Sequence, residues 1–526
     1  MPNGATSIRR LATEPCFTVD INDGRIETSG PADFFRGHAI EIPDDAPDGI
    51  FAAWSWDGGR LTIRNDRYGA APLFYAHEGT RLSVSPSIVR LVESGGSTAF
   101  DARALALFLR LGFFVGDDTP FMSIRAVPPN GTVTWDGGRV TVTGGYRFVA
   151  QQRIARDAAV DGFIEMFRRA MRRRPPKGND IVVPLSGGRD SRHIIMELCA
   201  SGAAQAAPTR AVTIPRYPPR PTEDERLAPI IARELGVPHT LLHQTTSAFL
   251  PELRKNWETH LCADEHAWYV AMVDCLEGRA TTIYDGLGGA LSVPNRFLSR
   301  ETMELIEGGR FRELASKILG ALSRSGEGFL RTVVRREWRE RLSLDVAIDR
   351  LAEELALHRH AADPVKSFNF WTRIRRELAL TPYALMRNIP TVYSPYLDCE
   401  LYDFLSSLPP EVMSPALSAS DKSFHSEAVL RGYPRHAHIP FKDRGAAKRD
   451  RRAHDAALVR ETGLHLLKHA RETPILLNRA HVLPRLALGV ASRQYGERAG
   501  WMPGVALSLF QLDALAQRRH AAVDAG

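Results

Sequence analysis

The segment Pro184-Leu-Ser-Gly-Gly-Arg-Asp-Ser-Arg192 combines residue types that suit phosphate chemistry. It follows an apolar run, Asp180-Ile-Val-Val-Pro-Leu185, and precedes a helical pattern through Ala200. A glycine turn between a buried strand and a helix aims backbone N–H groups, with the helix dipole behind them, at an anion. Gly187 and Gly188 let the main chain approach phosphate oxygens, and Ser186 and Ser191 add hydroxyl donors. Asp190 is the odd member. A carboxylate beside phosphate is repulsive unless a cation lies between them, so Asp190 is expected to hold magnesium. There is no GK[ST] ending and no GxGxxG, which excludes the phosphate loop of kinases and the dinucleotide fingerprint.

The elements that must position this loop follow from the pattern around it. The first ~145 residues alternate short strand-like runs with Gly- and Asp-marked turns, as in Phe51–Trp56, Asp57-Gly58-Gly59 and Arg60–Arg64. Asp101 starts one helix over about Ala102–Leu111. From about Gln151 the pattern changes to strands alternating with helices. A helix over Ala155–Arg173 is expected, then strands at Asp180–Leu185, Arg210–Ile214 and His239–Leu242, with a helix over Thr222–Leu235. Such alternation predicts a parallel sheet with crossover helices. Arg300 to about Leu380 is nearly all helical. The expectation is α/β plus α+β: an antiparallel β-rich domain over residues 1–150 and a parallel-sheet domain with helical additions over 151–526.

Ser186-Gly187-Gly188-Arg189-Asp190-Ser191 is similar to the SGGxDS loop of ATP pyrophosphatases, which cleave between the α- and β-phosphates. Further segments narrow the resemblance. They are Val212-Thr213 on the next strand, Tyr284-Asp285-Gly286-Leu287-Gly288-Gly289 as a second glycine turn, and Ser394-Pro395-Tyr396-Leu397-Asp398 with Leu408-Pro409-Pro410. Lys422-Ser423-Phe424 and Lys442 resemble late synthetase-domain lysines, and Asn65–Tyr75 resembles the DRFGxxPLYY hairpin of class II glutamine amidotransferase domains. In order and spacing the chain resembles the asparagine synthetase family over about residues 45–445. That resemblance implies an Ntn-type glutaminase-like domain before an adenine nucleotide α-hydrolase-like domain. It implies ATP and Mg2+ as cofactors. Leu185, Ser186, Gly187, Gly188, Asp190, Ser191, Val212, Thr213, Asp285 and Gly286 would bind them, with Asp190 the metal ligand and Asp190 and Lys442 catalytic.

The departures set the expected function. A class II glutaminase uses the α-amino group and thiol of an N-terminal cysteine. This sequence begins Met1-Pro2-Asn3 and its first cysteine, Cys16, is internal. Glutaminase activity is therefore not expected, as in β-lactam synthetases and lasso-peptide cyclases. In the second glycine turn Ala290 takes the place of the family's second acidic metal ligand, Leu287 that of its Glu or Tyr, and Thr391 that of the partner glutamate. The reading is an AMP-forming carbon–nitrogen ligase that adenylates a carboxylate and passes the acyl group to an amine. An ammonia-fed asparagine synthetase, a macrolactam cyclase and a dead nucleotide-binding scaffold remain alternatives. The substrates would be small-molecule or peptide carboxylates and amines; a homodimer and a pathway partner protein stay open as assemblies.

Composition bounds these readings. At 526 residues the chain exceeds one core, and its 44% hydrophobic and 25% charged content is ordinary for a globular protein. No apolar run reaches the roughly 18–20 residues of a membrane helix and no signal peptide is visible, so a cytoplasmic enzyme is expected. The net charge of +7 is concentrated in Lys442-Asp443-Arg444, Lys448-Arg449 and Arg451-Arg452. Without interleaved aromatics that run predicts no nucleic-acid partner; it suits a solvated loop or one closing over nucleotide phosphates. The five cysteines are scattered and read as reduced packing thiols. Glu265-His266-Ala267-Trp268 and Tyr269 are weaker candidates, expected on a helix facing the acyl substrate. Glu223-Asp224-Glu225 is explained by helix capping.

Overall fold

Alternate residues of Arg60–Asn65 point in opposite directions, burying Leu61 and Ile63 and leaving Arg60 and Arg64 in water. The same rule builds two antiparallel sheets in the computed structural model, which describes residues 4–42, 47–215, 223–322, 327–418, 421–442, 456–498 and 500–523. Their strands are β1 (Phe17–Asn22), β2 (Arg25–Ser29), β3 (Asp33–Ile40), β4 (Asp48–Trp56), β5 (Arg60–Asn65), β6 (Phe74–Glu78), β7 (Arg81–Ser85), β8 (Ile124–Ala126), β9 (Thr132–Asp136) and β10 (Arg139–Thr143). The orders are β2-β1-β7-β6-β8 and β10-β9-β5-β4-β3. Phe17, Val19, Leu82 and Val84 of the first sheet share one core with Trp54, Leu61, Ile63 and Trp135 of the second. The predicted turn at Asp57 is present: its carboxylate accepts from the N–H groups of Gly59 and Arg60.

The third sheet is parallel, with β11 (Ile181–Pro184), β12 (Thr209–Thr213), β13 (His239–Leu241), β14 (Thr282–Tyr284) and β15 (Thr391–Tyr393). Its order is β13-β12-β11-β14-β15, so the direction of strand addition reverses between β11 and β14. In open α/β sheets the crevice beyond the strand ends at such a reversal is where ligands bind. Both glycine turns emerge there, one after β11 and one after β14. The sequence reading named three of these strands; β14 and β15, three residues each, were not among them.

The helix Arg156–Arg172 covers the sheet with buried Phe163 and Phe167 and ends at Arg173 and Arg174. Arg174 is buried and bridges Asp48 on β4 at 2.6 Å and Asp398 at 2.7 Å. Arg173 pairs with Asp398 as well, and Asp398 caps the helix Cys399–Ser407 through the N–H groups of Glu400 and Leu401. One buried guanidinium thus joins the antiparallel sandwich, the parallel sheet's covering helix and the Pro395–Asp398 segment. The Asn65–Tyr75 stretch, expected as a hairpin, instead crosses from the end of β5 in one sheet to β6 in the other, and it faces this junction. Arg67 pairs with Asp403, and Tyr68 lies against Phe370, Trp371 and Tyr402.

Residues 300–322 and 327–357 are mostly helical, as expected, and the helix Leu344–Leu357 packs on Ala102–Leu111. Buried residues of the N-terminal third (Leu105, Phe108, Phe114) therefore share one core with Leu351, Val482 and Phe510. Phe370–Leu378 winds as a π-helix, a form uncommon in proteins and enriched near functional sites. Thr222, where the expected helix began, and the basic residues from Asp443 to Arg452 lie outside the described residues; the helix there is described as Glu223–Glu234.

Candidate functional site

Asp190 opens the helix Asp190–Ala200, and the loop before it is organised by its own hydroxyls. Ser191 Oγ accepts from the Ser186 N–H at 3.0 Å, and Ser186 Oγ accepts from the Gly188 N–H at 3.2 Å. The two hydroxyls lie 3.1 Å apart. Leu185 hydrogen-bonds into the sheet, its N–H donating to Val212 O at 2.8 Å and its carbonyl accepting from Thr213 Oγ1 at 2.8 Å. Val212 and Thr213 therefore hold the base of the loop rather than lying free.

The second glycine turn meets the first. A Cβ on Gly289 would come within 2.4 Å of Asp190 Cγ, and one on Gly286 within 3.1 Å of Asp190 Cβ. Gly289 is thus required for the Asp190 carboxylate to lie between the two turns. Asp285 precedes them, buried, with its carboxylate accepting from the Leu287 N–H at 2.8 Å. Burial, with Asp190 nearby as a second cause, pushes Asp285 up to about 6. Leu287 is buried, and Ala290 begins no acidic pair with Asp190.

Lys442 lies against the loop, and the partner of its ammonium is one that capping did not predict. Its N–H donates to Gly187 O at 3.1 Å and its ammonium to Asp224 Oδ2 at 2.5 Å. Asp224 Oδ1 accepts from the Gly187 N–H at 2.9 Å. Asp224 therefore does not simply cap its own helix: it takes the place on Gly187 and Lys442 where a phosphate oxygen is expected. The reading missed this because Asp224 stands 37 residues from Gly187 and 218 from Lys442.

His425 is the second residue the sequence did not single out. It is fully buried, with Nδ1 3.3 Å from Asp190 Oδ1 and 2.8 Å from Ser292 Oγ. A histidine directly after the already noted Lys422-Ser423-Phe424 segment carried no spacing signal of its own.

The Glu265–Tyr269 candidates fall elsewhere, in a different form. His266 has φ 75° and a short 3₁₀ turn starts only at Ala267, so these residues do not lie on one helix. Glu265 pairs with Arg373 at 2.8 Å, and Arg373 pairs with Glu377 at 2.9 Å. Burial, together with Glu265 and Asp264, holds the Glu377 carboxyl well above its usual range.

Cys16 is buried at the start of β1, and burial raises its thiol pKa. All five cysteines are free, as expected. Among the described residues no helix is long and apolar enough to cross a membrane.

The family of glutamine amidotransferase domains matches residues 45–146. The N-terminal part of the chain is accordingly of class II glutamine amidotransferase type, which ties the protein to amide transfer or amide synthesis at a coarse level. An allosteric regulatory enzyme of purine biosynthesis aligns at 8% identity over 45% of this chain and 77% of its own, with a TM-score of 0.18. Glutamine phosphoribosylpyrophosphate amidotransferase from B. subtilis, complexed with ADP and GMP, aligns at 9% identity over 56% and 78%, also at 0.18. Scores that low carry no structural argument. No curated protein matches the chain.

Proposed function

We propose that this protein is an ATP-dependent, AMP-forming amide synthetase or cyclase of asparagine synthetase type, working without a glutaminase of its own. The observation that carries this reading is the meeting of two glycine turns at the reversal point of the parallel sheet, with Asp190 between them and Lys442 on the loop. The residues suit a magnesium ion: Asp190 offers hard oxygen donors, and its side chain is 44% exposed although it opens a buried helix. Bound there, magnesium would neutralise triphosphate charge.

The chain's own groups supply the rest. The hydroxyls of Ser186 and Ser191 and, once Asp224 is displaced, the Gly187 N–H donate to the β- and γ-phosphates, with Gly188 allowing their close approach. A substrate carboxylate oxygen bonds to the α-phosphorus as the bond to pyrophosphate breaks. An amine then attacks the acyl carbon and AMP leaves with the former carboxylate oxygen, the amine losing a proton. Lys442, released from Asp224, stabilises the developing negative charge, a task in which a fixed cation in a dry site is strong.

The absence of glutaminase chemistry rests on Cys16. Its nitrogen is a peptide nitrogen bonded to Pro15, so it cannot act as the α-amino base, and its thiol is buried. The amine then comes from the substrate or from ammonia. A nucleotide-binding scaffold without turnover is the second reading, favoured by Ala290 in place of an acid and by Asp224 on the Gly187 N–H.

Product analysis over a pool of carboxylates with ATP and Mg2+ tests the proposal. AMP and pyrophosphate in equal amounts, and no glutamate from added glutamine, are expected. ADP with phosphate would overturn the reading, and Mg2+-dependent ATP binding without turnover of any carboxylate would select the scaffold.

A further inference from the structure

We propose that His425 is a positioning residue for Asp190, its Nδ1–H shared between Ser292 Oγ and the carboxylate so that one oxygen is held and the other is left toward the ion; this rests on the reading given under Proposed function. The tautomer follows from the neighbours. Ser292 Oγ donates its single proton to the Gly289 carbonyl at 2.6 Å, so it accepts from His425 Nδ1 at 2.8 Å. Nδ1 therefore carries hydrogen, and the same N–H faces Asp190 Oδ1 at 3.3 Å. Nδ1 has no lone pair free, which rules out His425 as a metal ligand through that atom and leaves it as a donor behind one.

The far side of the ring fits the same assignment. His425 Nε2 lies 3.4 Å from His193 Nδ1, and His193 is fully buried with its ring stacked on Phe167 at 3.8 Å. His193 then donates to Nε2, and its own Nε2 is the nitrogen with no partner among the described residues. Tyr396 closes the ring of contacts, its hydroxyl donating to the Asp190 carbonyl at 3.1 Å. Asp190 is thus held through both its main chain and its side chain by groups that never reach the surface. Donors of this kind behind a carboxylate ligand fix its orientation and raise metal affinity.

The test is calorimetric ATP binding to the full chain across a Mg2+ series, with no substrate present. His425→Leu removes the donor at similar volume and is expected to raise the Mg2+ concentration at half-effect by about 10–100-fold. ATP binding without Mg2+ should stay unchanged. His425→Asn places an amide N–H near the Nδ1 position and should recover most of the loss. Equal Mg2+ dependence in wild type and His425→Leu would overturn the inference, as would an equal loss in both variants. If His425→Leu does not fold, Ser292→Ala serves instead: it removes the competing acceptor, leaves the Nδ1–H to Asp190 alone and should lower the Mg2+ requirement, and no change or a rise would overturn the inference. Wild type that binds ATP without any Mg2+ effect removes the proposed function itself, and the inference with it.

Discussion

At the scale of single residues, a carboxylate sits where the sequence predicts a phosphate. Asp224 accepts from the Gly187 N–H and from the Lys442 ammonium, so the loop and its lysine are already neutralised from within. An incoming triphosphate must displace this anion or share its donors, and like charges at this range repel by more than exposed ones do. Asp224→Asn keeps the shape and removes the charge. Its affinity for ATP is expected to rise by about tenfold, equivalent to about 1.4 kcal/mol, when titrated with Mg2+ present. A fall in affinity would mean that Asp224 holds the loop in its binding form instead. The sequence made Gly187, Gly188 and Asp190 legible because their chemistry is packed into six consecutive residues. Asp224 and His425 were not legible, because each acquires its role from partners that only the tertiary fold supplies.

At the scale of elements, the join between the antiparallel sandwich and the parallel sheet depends on Arg174. Its guanidinium pairs with Asp48 and Asp398 where all three groups are buried. Removing one member of a buried ionic network leaves uncompensated charge, typically at a cost of about 3–5 kcal/mol. Arg174→Met should therefore lower stability by about that amount in urea denaturation at neutral pH, and a loss under about 1 kcal/mol would contradict the account. The alternation of strands and helices after residue 150 was readable because each long element carries a period. The strands β14 and β15 were not, because no helix-and-strand alternation marks them and their place is set by pairing with β11 and with each other. The Asn65–Tyr75 stretch was readable as a motif but not as the connection between two sheets that it is, and its structural work lies in Arg67 and Tyr68 meeting Asp403, Phe370 and Tyr402. A motif names a likeness; the contacts say what it does in this chain.

At the scale of the whole molecule, the two regions share cores and so should unfold together, with buried carboxyls setting part of the pH dependence. Asp66 is fully buried, and although the N–H groups of Tyr68, Ala70 and Ala71 favour its charged form, burial dominates and pushes it up to about 6. Between about pH 4 and that value the folded chain holds a proton the unfolded chain has released. The contribution is full below about pH 4 and lost as pH rises past about 6, amounting to about 3 kcal/mol for a shift of this size. Wild type should therefore lose about that much stability relative to Asp66→Asn between pH 4 and pH 7, read from denaturation midpoints; parallel profiles would contradict it. The central claim concerns the whole assembly of turns around Asp190, and exchange of labelled pyrophosphate into ATP, driven by a carboxylate, tests it most directly. The account predicts exchange in wild type and its loss in Asp190→Asn with the fold intact by circular dichroism. Undiminished exchange in that variant would contradict it.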